Sequence, residues 1–270
     1  LTTVERAKEN ASSAGRTWQI LFIVLLGAGI ALTEYIFAYR SPTLGIGISL
    51  ALVLLVYFLL SILRLEDRIA MSADSLVLVP VYILFTSSLP WFFLQQQYLL
   101  PAVYACVLVI SFWHIYRHNL DFGAILNFNR RKLLKYTLIG LAIGIPLGAI
   151  EYLILHPSPT SPIFKVQYLF RDIIYMLVFV GFGEELLFRG LIQADLSKAF
   201  GWKWGLFATS LLFAVMHMTW RSVPELFFVF AAALILGGIY LRTRSLVAPI
   251  ILHAANNVIL VGVMPYLWPK

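Results

Sequence analysis

Three short runs in the second half of the chain set ionisable or hydrogen-bonding side chains into otherwise apolar sequence. The first is Gly183-Glu184-Glu185-Leu186-Leu187-Phe188-Arg189-Gly190. On a helix Glu185 and Arg189 are four apart and share a face, so they can pair and hold Glu185 in place. Glu184 points about 100° away and has no partner on its own helix. A positioned carboxylate of that kind is the raw material of a general base. A buried ion-pair network that only pins helices is the competing reading. The second run is Phe213-Ala214-Val215-Met216-His217, and the third is His253-Ala254-Ala255-Asn256-Asn257. His217 alone reads as a packing residue, with Phe213 one turn back on its face. His253 and Asn257, four apart, project together and can both donate to an oxyanion; Asn256 could substitute geometrically. Polar glue between helices is the plainer account of that pair.

Taken together, a base candidate, a histidine and a His/Asn donor pair on three helices are the parts for hydrolysing an acyl bond with water. A second chemistry uses Glu184, His217 and His253 as zinc ligands, a set of two imidazoles and one carboxylate. No His-Glu-x-x-His spacing supports it.

The elements that carry these residues follow from composition. The chain has 61% hydrophobic and 12% charged residues and a mean hydropathy of +0.87. Soluble domains carry about a quarter charged residues. Each helix crossing a hydrocarbon core of about 30 Å needs about 20 apolar residues. The expected architecture is all-α: a polytopic transmembrane bundle, one embedded domain over 1–270. Nine spans are expected at 18–39, 43–63, 76–94, 98–116, 133–155, 172–194, 202–220, 224–242 and 247–268, with eight if 76–116 is short, kinked or re-entrant around Pro90, the glutamines 95–97 and Pro101. Residues 1–17 read as a polar cytoplasmic tail, 18–132 as helices without a chemical motif, and 133–270 as the core that carries the site.

Charge supplies the orientation. With the N-terminus inside, fourteen of the 20 Lys and Arg fall on the inner side and five on the outer, leaving Arg189 alone within a span. This follows the positive-inside rule. It also accounts for the net charge of +7 and the basic run Arg130–Lys135 without nucleic acid. Trp18, Trp91, Trp113, Trp202, Trp220 and Trp268 fall near span ends, as interfacial anchors do. Gly140, Gly144 and Gly148 form a small-residue stripe for close helix packing. A single cysteine, Cys106, leaves no disulfide framework.

The three motifs, in this order, resemble those of the CPBP intramembrane protease family, also called Abi, which includes the type II CAAX prenyl endopeptidases. The stretch from Tyr240 to His253 is similar to its prokaryotic members, and the likeness covers about 172–262. The resemblance implies a glutamate-dependent, metal-independent peptidase without a cofactor. Glu184 and His217 would activate water, His253 and Asn257 would hold the oxyanion, and Glu185, Arg189 and Phe213 would support them. It further implies a membrane-associated protein or peptide substrate, lipidated substrates included, and a prokaryotic cell membrane rather than the endoplasmic reticulum.

A third class of function stays open: a non-catalytic transporter, immunity factor or scaffold. Glu34 and Glu151 are further acids in or at spans. They would line a proton path in that reading, or else sit at the outer helix ends within reach of water.

Overall fold

A computed structural model describes residues 3–87 and 95–269, with side chains from Arg16 onward except those of 96 and 97. The described chain is helical, with no strand among the described residues. Helices α1 (Thr3–Tyr39), α2 (Pro42–Ile62), α3 (Asp67–Ser87) and α4 (Gln96–Arg117) form the first half. A short α5 (Phe122–Leu126) precedes α6 (Leu133–Leu155). A continuous rod then runs over 166–200. In it α7 (Val166–Ile174), α8 (Phe182–Glu185) and α9 (Ala194–Phe200) are joined by wide π-type turns at Tyr175–Gly181 and Leu186–Gln193. Next come α10 (Trp202–Val215) and α11 (Val223–Thr243). The last rod is α12 (Val247–Val258), a π-type stretch, and α13 (Met264–Leu267).

These rods fall in the order and number expected of the spans. Seven helices among the described residues are long and apolar enough to cross a bilayer, as an integral membrane protein requires. The two rods outside that set carry the first two motifs. The 166–200 rod holds Arg171, Asp172, Glu184, Glu185 and Arg189, too many charges for an ordinary lipid-facing span. Helix α10 has 14 residues, a rise of about 21 Å, short of the hydrocarbon thickness.

Some expected boundaries move. The third span begins at Asp67 rather than 76; Asp67 and Arg68 are exposed at its start, and Asp74 is satisfied inside the bundle by His114, His118 and Arg117. Helix α1 is continuous from Thr3, so the polar stretch ahead of the span that begins at Arg16 is helical too. The seventh span ends at Val215, so His217 lies in the turn beyond it. Pro90, Trp91 and Lys270, used for the turn, the belt and the outer charge, lie outside the described residues. The other five tryptophans are exposed on the bundle surface.

Helix α3 and the last rod are central: 61% of each apolar window is buried, against 22–28% for the other five. The glycine stripe shows how α12 is held. Cβ atoms on Gly144 and Gly148 would strike the carbonyls of Leu252 and Asn256, so α6 and α12 approach backbone to backbone. At the other end, Asn127 donates its amide to the Arg244 carbonyl at 2.7 Å, and Leu246 N–H donates to Leu126 O. The α5 segment thereby fixes the entry to α12, the helix that carries His253 and Asn257.

Candidate active site

Glu185 is fully buried and accepts two hydrogen bonds at one oxygen. Arg189 Nη1 donates to Oε1 at 2.8 Å, one turn along the same rod. His253 Nδ1, from α12, lies 2.8 Å from the same Oε1. A carboxylate only accepts, so Nδ1 carries a proton. Arg189 is equally buried; its Nη2 donates to Ala233 O at 3.2 Å, and its guanidinium lies 4.5 Å from the centre of the Phe213 ring. The arginine has neither water nor a distant acid as partner. Its charge is met by Glu185, a carbonyl of α11 and an aromatic face.

Phe213 is the hub of this arrangement. Its ring centre is 4.9 Å from that of His217 and 5.8 Å from that of His253. Phe188 meets it edge-on at 4.8 Å. One side chain therefore sets the spacing between the arginine and both histidines.

Glu184 differs from its neighbour in exposure, at 14% for the side chain against 0% for Glu185. The phenol of Tyr104, on α4, donates to Glu184 Oε1 at 2.8 Å. Oε2 has no hydrogen-bond partner within the protein and lies 3.7 Å from His253 Nε2. His253 thus stands between the two glutamates. It is bonded to one and faces the free oxygen of the other.

His217 Nδ1 lies 2.8 Å from the Phe213 carbonyl. A carbonyl accepts, so Nδ1 holds the proton and Nε2 keeps its lone pair in the neutral ring. Glu184 and His217 line one cavity of about 170 Å³, with Tyr82, Tyr104 and Trp220 among its other walls. No ion pair joins the two among the described residues. A smaller hollow on the other side of Phe213 and His217 is lined by His253, Asn257 and Glu151. Of the four residues expected to act on substrate, Glu184 lines the first hollow, His253 and Asn257 the second, and His217 both.

The donor atoms of Glu184, His217 and His253 do not converge as a ligand set. Among the described residues, convergence within 4.8 Å is found instead for Asp74, His114 and His118. Asn256 does not stand in for Asn257, because its Nδ2 donates to Glu151 Oε2. Glu34 and Glu151 are buried, at 2% and 6% exposure, so water does not reach them at the helix ends.

Two residues of the site carry no motif. Tyr104 sits in an apolar helix and reads as packing; the only clue is that a buried phenol needs a partner. Glu225 is fully buried on α11 with its carboxyl against that of Glu151. In sequence it completes Ser222-Val223-Pro224-Glu225, a capping-box pattern. Ser222 does cap the helix, accepting from Glu225 N–H at 3.3 Å, but the Glu225 side chain turns inward.

Residues 166–259 match the family model described as type II CAAX prenyl endopeptidase, Rce1-like. That stretch contains all three motifs and is the relationship their residues led us to expect. An uncharacterized protein of Bacillus subtilis (strain 168), YpbD, is 35% identical over 82 residues, which is 30% of this chain and 39% of that relative. The chain therefore spans well under two thirds of the length of this curated relative. No solved structure matches the chain.

Proposed function

We propose that this protein is an intramembrane endopeptidase in which Glu184 and His217 activate a water molecule against a peptide carbonyl. The observation that carries this reading is the shared cavity. The unpartnered Oε2 belongs to the less buried glutamate of the pair, and the lone-pair nitrogen belongs to a histidine that lines the same cavity. A water between them loses its proton to one group as its oxygen attacks the carbonyl carbon. The same group then delivers that proton to the leaving amine as the C–N bond breaks. Tyr104 fixes Glu184 by holding Oε1, which leaves Oε2 for the water.

The tetrahedral oxyanion would fall to His253 and Asn257. Since His253 Nδ1 donates to Glu185, donation to an oxyanion comes from Nε2 of the imidazolium form. Glu185, Arg189 and Phe213 hold that ring in place and do not meet the substrate. The match of 166–259 to CAAX prenyl endopeptidases supports a substrate that approaches from the membrane, prenylated protein C-termini being the leading class. Glutamic rather than zinc chemistry is favoured by the scattered donor atoms of Glu184, His217 and His253. A transporter built on Glu34 and Glu151 has no comparable observation in its favour.

The test is a comparison of membrane proteins processed in cells carrying wild type, Glu184→Gln or His217→Ala. Substrates should accumulate uncleaved with both variants, and Glu184→Gln should co-purify with them. Full processing by the folded Glu184→Gln protein would end the mechanism. Ion flux in proteoliposomes without proteolysis would favour the transporter instead.

A further inference from the structure

Helices α3 and α4 hold a second cluster of ionisable side chains that hydrolysis at Glu184 does not use. His114 and His118 are one turn apart on α4, with ring centres 4.5 Å apart, and both face Asp74 of α3. His114 Nδ1 lies 3.4 Å from Asp74 Oδ2, and His118 Nε2 lies 2.5 Å from the same oxygen. One ligand atom from each residue falls within 4.8 Å of the others. Asp74 and His114 are buried, at 4% and 0% exposure. Nδ1 of His114 has only the long contact to Asp74, and its Nε2 has no partner among the described residues. Folded proteins rarely leave a fully buried imidazole nitrogen unmet.

We propose that Asp74, His114 and His118 bind a divalent metal ion of the zinc type, at a site separate from the catalytic one. Two imidazoles and one carboxylate, with water as the fourth ligand, suit zinc in both donor type and number. Metal–ligand bonds of about 2.0–2.2 Å put tetrahedral donors about 3.3 Å apart, close to the His114–Asp74 spacing. The His118–Asp74 contact is now a hydrogen bond. It opens to that spacing when the ion takes its place, and His118, 22% exposed, has room to withdraw. Arg117 does not block the site. Its Nη1 is 3.5 Å from the other oxygen, Oδ1, and its guanidinium rests on the rings of Trp113 and Tyr57. Asp195, at the end of the glutamate rod, is a further buried acid within electrostatic reach of His114. The site lies ten residues beyond Tyr104 on α4, about 15 Å along the axis. An ion there ties α3 to α4, the two helices that wall the Glu184 cavity.

The experiment uses the whole chain, purified in detergent with a tag lacking histidine, stripped with EDTA, re-equilibrated with zinc chloride and freed of excess. Elemental analysis should find about one zinc per chain in wild type and in Glu184→Gln, and less than about a tenth of that in His118→Gln and Asp74→Asn, as expected for loss of one of three protein ligands. Zinc should raise the unfolding temperature of wild type and Glu184→Gln but not of His118→Gln. Absence of zinc in wild type, or equal zinc in His118→Gln, overturns the proposal. So does zinc that is lost with Glu184→Gln, which would place the ion at the catalytic glutamate.

Discussion

His253 and Glu185 are joined across two helices, Nδ1 to Oε1 at 2.8 Å, with both side chains buried. The bond links α12 to the glutamate rod, and Arg189 completes it from the far side. None of the three has water to fall back on. Replacing Arg189 by Met should therefore leave an uncompensated carboxylate and destabilise the fold by about 3–5 kcal/mol. Arg189→Lys should rescue little, because an ammonium cannot make the fork to Glu185 and Ala233 while lying flat on Phe213. Denaturation of the detergent-solubilised protein measures both.

Tyr104→Phe removes one oxygen and keeps the ring. The phenol bond to a carboxylate is charge-assisted, worth about 1.5–3 kcal/mol. Its loss frees Glu184 to rotate away from the water it is proposed to activate. We expect kcat to fall about 10-fold or more with KM little changed, since Tyr104 holds the base and not the substrate. The unfolding midpoint should move little. An unchanged kcat would mean that Glu184 needs no positioning from α4.

Much of this arrangement is written in the sequence, and the misses have physical causes. Glu185 and Arg189 are legible because opposite charges four apart in an apolar helix are tolerated mainly by pairing. Seven of the rods among the described residues are legible because apolar length is what a bilayer demands. The start of α3 was hidden because Asp67 and Asp74 look like loop residues; Asp74 is tolerated inside only through His114, His118 and Arg117, which lie about forty positions away. The end of α10 was hidden because no glycine or proline marks it, and apolar sequence continues through Met216. Tyr104 and Glu225 were missed because each imitates a commoner role, one as filler and the other as a cap. Spacing along one helix is readable; which second helix arrives opposite is not.

The glycine stripe can be tested with an internal control. Gly148→Ala places a methyl group against the Asn256 carbonyl, and α12 must back away from α6. Overpacking of this kind costs about 1–3 kcal/mol. Proteolysis should fall too, because His253 and Asn257 ride on the displaced helix. Gly238→Ala, on α11 with nothing within 4 Å of the added atom, should be neutral or stabilise by up to about 1 kcal/mol. Equal effects at the two positions would refute the close approach of α6 and α12.

Glu225 and Glu151 offer the last prediction, which separates the loss of an acid from the loss of its volume. Their carboxyls lie against each other in the bundle, and neither oxygen of Glu225 receives a donor from any other group. Two buried carboxyls in contact share a proton, since both cannot ionise side by side. Glu225→Gln keeps the volume and supplies an amide donor in place of that proton, so stability should change by less than about 1 kcal/mol. Glu151 would still accept from Asn256, and the Asn257 side of the substrate hollow should keep its shape. Glu225→Ala also removes the second carboxyl but leaves a void, and should destabilise. If Glu225→Gln stays stable yet loses proteolysis, the acid itself takes part in turnover. If activity survives, the pair serves to seat α11 and α6 around Asn256.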